Sequence, residues 1–97
     1  MISSTHYLVR SRADGRYVAA RVSGEGETEK NYLLTFREDY DARSYLNTHS
    51  SEDLAKEFAV ESVSAIQLKG VLQRWGFQGI GLVEDPLIPR IQFLSLG

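Results

Sequence analysis

Apolar and polar residues alternate near the start of the chain. Residues 5–12 and 16–23 are rich in Tyr and Val and flank Asp14-Gly15. Asp-Gly is a two-residue turn signal because both central positions of a type I′ turn need φ > 0. The pattern predicts a β-hairpin. With Asp14-Gly15 at the turn centre, Arg12 faces Tyr17, Arg10 faces Ala19 and Leu8 faces Arg21. The opposite face pairs Ser11 with Val18, Val9 with Ala20 and Tyr7 with Val22, and it is the apolar one. The polar face carries His6, Arg10, Arg12 and Arg21 around Tyr17.

Residues 24–31, with Gly24, Gly26, Glu25, Glu27 and Glu29, have no periodicity and predict an exposed loop. A strand over 32–37 puts Tyr32, Leu34 and Phe36 on one side and Leu33 and Thr35 on the other. Glu38, Asp39 and Asp41 then open a helix, where acids suit the positive end of the dipole. Its apolar stripe is Ala42, Tyr45 and Leu46, and it ends near Asn47. Ser51 is placed to begin a short helical turn on which Leu54 and Phe58 stack, and residues 58–63 predict a strand. Ser64 and Gln67 then make a capping-box pattern. Leu68, Val71, Leu72 and Trp75 follow at helical spacing, with Gly76 and Phe77 suited to the end of the helix. Gly70 lies inside that helix and weakens it by about 1 kcal/mol relative to Ala. Residues 80–84 predict a buried strand stopped by Pro86, and 90–96 a final strand entered through Pro89.

The order is hairpin, β, α, β, α, β, β. It predicts an α+β fold, a mixed sheet with an N-terminal β-hairpin and two helices packed on one face. Residues 32–84 hold two consecutive β-α-β units, and right-handed crossovers between strands in sequential order put both helices on the same side. The other face then has no helix and meets solvent, the basic hairpin or a partner.

At 97 residues the chain is a single domain over 1–97. Its 42% hydrophobic and 25% charged residues are ordinary for a globular fold. It contains no cysteine, which excludes disulfides, thiol catalysis and sulfur-bound metals. Apolar runs are too short for a membrane helix, and residues 1–5 have neither a basic nor an apolar stretch that predicts a signal peptide. A cytoplasmic protein is expected. The net charge of −2 argues against nucleic acid or an anionic membrane as a whole-molecule partner. The charge is unevenly spread. Arg10, Arg12, Arg16 and Arg21 against Asp14 make residues 1–22 net positive by three, whereas 23–57 are net negative by five and the remainder is neutral.

The run from Tyr32 through Phe36-Arg37-Glu38-Asp39 to Leu46 is similar to the strand-then-acidic-helix segment of SseB-like domains, the enhanced-serine-sensitivity family. Residues 63–85, a helix followed by Gly79-Ile80-Gly81-Leu82-Val83 and an acid-Pro turn, resemble that family's later half. Asp85-Pro86 stands where the family usually has an Asn-Pro-like turn. The resemblance covers about half of the chain. It implies a small α+β domain that is not an enzyme and acts through interactions, and it supplies no catalytic residue.

Candidate chemistry is sparse. His49, Ser50, Ser51, Glu52 and Asp53 contain the side-chain types of a hydrolase triad, but a triad needs members converging from separate elements. These residues read instead as a polar loop and a helix cap. His6 and His49 lack metal-ligand spacing, and no metal site or cofactor is expected. Gly76, Gly79 and Gly81 follow a helix and lead into a strand, the reverse of a dinucleotide loop. Glu38, Asp39 and Asp41 lack calcium-loop spacing. The candidate binding residues are those of the arginine face, His6, Arg10, Arg12, Tyr17 and Arg21. The expected function is a non-enzymatic interaction domain with a protein partner or a second copy of itself. The alternative is phosphate or nucleic-acid binding through the arginine face.

Overall fold

In a computed structural model of the chain, residues 5–23 and 29–95 are described. Most of the glycine- and glutamate-rich loop expected after residue 23 lies outside them. The elements are β1 (Thr5–Ser11), β2 (Ala19–Val22), β3 (Lys30–Phe36), α1 (Asp39–His49), α2 (Glu52–Ala55), β4 (Phe58–Ser64), α3 (Ala65–Trp75), β5 (Gly79–Asp85) and β6 (Arg90–Ser95). The strands form one mixed sheet in the order β4-β1-β3-β5-β6, with β2 also paired to β3. The α+β class is as expected.

Helix boundaries follow local chemistry. Asp39 and Asp41 occupy the first turn of α1. Ser51 Oγ accepts from the Leu54 N–H at 3.1 Å and starts α2. Ser64 Oγ accepts from the Gln67 N–H at 3.2 Å, and the Gln67 side chain accepts from the Ser64 N–H at 2.8 Å. Two otherwise unpaired donors of α3 are thus satisfied reciprocally. At the other end Gly76 takes φ 74°, and the Phe77 N–H donates to the Leu72 carbonyl at 3.0 Å. That left-handed residue ends α3 at little steric cost.

The hairpin departs from expectation. Arg10, not Arg12, is opposite Tyr17, and the Ser11 N–H donates to the Arg16 carbonyl at 2.8 Å. Residues 12–15 therefore make a four-residue connection closed by Gly15 at φ 73°, and the register moves by two residues. An even shift keeps each side chain on its expected face. Beyond Val18 the second arm leaves the first. The Val18 N–H donates to Val9 and its carbonyl accepts from Leu34, so Val18 bridges β1 and β3. β1 meets β3 at Tyr7 and Phe36, and β2 takes up the same antiparallel edge from Ala19 opposite Leu33 to Val22 opposite Lys30. The expected pairs of Leu8 with Arg21 and Tyr7 with Val22 do not form. β1 instead pairs along its whole length with β4, which supplies Val60 and Val63 where β2 has only Ala19 and Ala20.

The helices sit on opposite faces, which corrects the expectation of one shared face. Leu8, Leu33 and Val63 pack with Leu68, Val71 and Leu72 of α3. Val9, Leu34, Phe36 and Val83 pack with Ala42 and Leu46 of α1 on the other side. The expectation assumed strands in chain order. In the fold β1 lies between β3 and β4, which are parallel to each other and to β5. The β3-to-β4 crossover travels one way across the sheet and the β4-to-β5 crossover travels back. Two crossovers of the same hand in opposite directions place their helices on opposite faces. Both helices lie over the β1, β3 and β4 side of the sheet, and β6 forms an edge beyond them.

Candidate interaction site

The residues of the expected arginine face do not stay together. Arg10 is held within the fold. Its Nε donates to the Gly15 carbonyl at 2.8 Å, its Nη1 donates to Glu61 Oε2 at 3.3 Å, and its guanidinium lies 4.9 Å from the Tyr17 ring centroid. Tyr17 Oη donates to Glu61 Oε1 at 3.0 Å, so one carboxylate clamps both side chains. Burial first, and then the hydrogen bond to Glu61, push the Tyr17 phenol above its ordinary pKa. Arg12 leaves this face with the loop. Its backbone N–H donates to Glu57, its Nε reaches the Phe58 carbonyl at 3.4 Å, and it lines a cavity with Arg43 and Leu46 on the α1 side. His6 stays on the α3 face, opposite Val63. It is about 13 Å along the strand from Arg10, with fully buried Leu8 between them.

Tyr17 and Arg21 do come together. With Arg16, Asn31, Trp75 and Phe77 they line an open cleft of about 360 Å³. Arg16 lies 3.9 Å from Asp14, and Arg21 lies 4.0 Å from Glu29. Sequence reasoning assigned Trp75 to the core. It is 41% exposed and stands edge-on to Tyr17 at 5.4 Å. One turn beyond Leu72, its position on the apolar stripe has passed the packed part of the sheet.

The triad residue types do not converge. His49 is the last residue of α1, its Nε2 2.8 Å from the Pro86 carbonyl and its ring against Tyr45, while Ser51 caps α2. Among the described residues no three His, Asp or Glu side chains are grouped so as to hold a metal ion. No helix among them is long and apolar enough to cross a membrane.

The most apolar exposed ground lies along β6. Every second residue of an edge strand faces the same side. Phe93 falls on the α1 side, against Tyr32 at 5.0 Å between ring centroids, and is 44% exposed. Leu94 falls on the α3 side, is 43% exposed, and borders a cleft of about 330 Å³ with Leu68, Leu72 and Ile80. Two glycines of β5 permit this arrangement. A Cβ at Gly81 would press on Leu34, Ile91 and Phe93 at 3.0–3.4 Å, and one at Gly79 would overlap the Leu94 carbonyl. Leu87 and Ile88, in the turn leading to β6, are also exposed. The sequence signal for this surface is the apolar run of the final strand behind Pro89, a residue suited to an edge or an entry point.

No protein-family model matches the sequence, and no curated protein does. Among solved structures the chain is similar to Tic22 of Anabaena, described as acting in protein transport. The TM-score is 0.55 at 20% identity, with 89% of this chain and 37% of the Tic22 chain covered. The chain therefore spans little more than a third of that protein, and the likeness is one of fold.

Proposed function

We propose that this domain is a non-enzymatic interaction module that takes up an extended polypeptide segment as an added strand on β6. The observation that carries the reading is an edge strand exposed along nearly its whole length and apolar on both faces at Phe93 and Leu94. Natural edges are usually blunted by charge, proline or a covering element. Within β6 the sole charge is Arg90, at its start. A free edge supplies backbone hydrogen bonds, and flanking apolar clefts supply side-chain selectivity. The partner strand comes from another protein or from a second copy. The resemblance to SseB-like domains implies the same kind of role, and the cysteine-free composition suits a cytoplasmic setting. Tic22's description in protein transport is compatible with a fold that handles polypeptide. Extended nucleic acid is disfavoured, because Arg10 is committed to Glu61 and Arg12 faces the other side.

The test is fluorescence anisotropy with a panel of labelled, extended apolar peptides, alongside light scattering for self-association. Micromolar binding or a concentration-dependent dimer is expected. Phe93→Lys and Leu94→Lys should each weaken it by about tenfold or more, which is ~1.4 kcal/mol, with the melting transition retained. A monomer that binds no member of the panel would sink the proposal.

A further inference from the structure

We propose that the cleft between Arg16, Arg21 and Trp75 is a binding site for a small planar anion, a ring system bearing a phosphate, of nucleotide size. The site is independent of β6. It forms because the loop excursion after β1 brings Arg16 and Tyr17 up against the end of α3, while Gly76 turns the chain so that Phe77 lines the same space. Its volume of about 360 Å³ lies in the usual range for small-ligand clefts.

Its chemistry is one-sided. Among the described residues the lining contains two arginines, Asn31 and three aromatic rings, and no carboxylate. The edge-to-face contact with Tyr17 braces Trp75 and leaves the indole open to the cleft it lines. A braced, exposed indole is a stacking platform for a planar ring. The two arginines are free to change partners. Their contacts to Asp14 and Glu29 are 3.9 and 4.0 Å long, between side chains all more than half exposed. Such exposed, long pairs hold weakly, whereas guanidinium with phosphate makes short, charge-assisted bonds of bidentate geometry. Arg10, by contrast, is fixed by Gly15, Glu61 and the Tyr17 ring and does not line the cleft.

Trp75 is the only tryptophan in the chain, so its emission reports on this cleft alone. The 97-residue chain is titrated with adenosine monophosphate, adenosine and inorganic phosphate, with excitation beyond nucleotide absorbance. The expected result is saturable quenching by the nucleotide, with adenosine and phosphate each weaker by about tenfold or more. Arg16→Gln and Arg21→Gln, both at exposed positions, should each weaken the nucleotide several-fold with unchanged melting. Adenosine binding as well as the nucleotide would show that the arginines take no part. An absence of saturation up to about 10 mM, an affinity limit near −3 kcal/mol, would overturn the site. A response to the nucleotide unaffected by either variant would also overturn it. So would a mixed oligonucleotide that binds far more tightly with a steep salt dependence, because the ligand would then be a polymer backbone rather than one ring and phosphate.

Discussion

Glu61 is the carboxylate around which the first loop is arranged. It accepts from Tyr17 and pairs with Arg10, whose Nε holds the Gly15 carbonyl. The Tyr17 phenol is raised above its ordinary value by burial and then by Glu61. A group raised in the folded state contributes stability below its unfolded pKa and loses it as pH rises through the folded pKa. Stability should therefore fall above pH 10, the ordinary tyrosine value. Tyr17→Phe should be less stable at neutral pH and show a flatter alkaline limb in chemical denaturation at several pH values. An identical limb in wild type and variant would remove Tyr17 from this role. Thr35 makes the opposite case. It is fully buried, and its hydroxyl has no partner among the described residues. An unsatisfied buried hydroxyl costs roughly 1–3 kcal/mol, and valine has nearly the same shape. Thr35→Val should raise the melting temperature, and a loss of stability would reveal a hydrogen bond to a bound water. At this scale the sequence disclosed residue types and faces. It could not disclose that Glu61, forty and more residues away, would commit Arg10 and Tyr17 to each other.

Among the elements, α3 was the most legible because its signals are local. The Ser64–Gln67 box, the Leu68, Val71 and Leu72 part of the stripe and the left-handed Gly76 need no knowledge of the rest of the fold, whereas the burial expected of the stripe's last member, Trp75, does not follow. The hairpin was half legible. Side-chain alternation predicts Val9, Val18, Ala20 and Val22 on one buried face; Val9, Val18 and Ala20 do pack together, on the α1 side, whereas Val22, near the end of β2, is exposed. Register and partner were settled by competition. β4 offers β1 a full-length match, and β3 claims β2. Gly70 shows an element carrying a residue that its own packing does not require. A Cβ there would meet only Arg74 Nη2, at an ordinary 3.8 Å. Gly70→Ala should therefore stabilise the domain by about 0.5–1 kcal/mol through helix propensity, visible as a melting temperature higher by a few degrees. Destabilisation would mean that the helix backbone is approached more closely in solution, for instance by a partner lying beside Ile66 and Arg74.

At the scale of the whole molecule, strand order decides what is left uncovered. Placing β1 between β3 and β4 sends the two crossovers in opposite directions and puts α3 on one face and α1 on the other. No local pattern encodes that choice, which is why sequence reasoning left one entire face bare. The bare region is instead one end of the sheet, at β6. The arrangement makes a graded prediction for amide hydrogen exchange. β3 is flanked on both edges by strands, and residues 32–36 are buried. Their amides should exchange slowest, through global unfolding. In β6 every second amide points away from β5, toward the free edge, and should exchange fastest among the strands. A peptide that adds to the sheet must protect those outward amides of residues 90–95 and leave the slow β3 amides unchanged. Nucleotide bound beside Trp75 should instead act near Arg16, Arg21 and Phe77, so one experiment separates the two surfaces. If the outward β6 amides of the free monomer are already as protected as those of β3, the edge is covered by the chain itself, and the strand-addition reading fails.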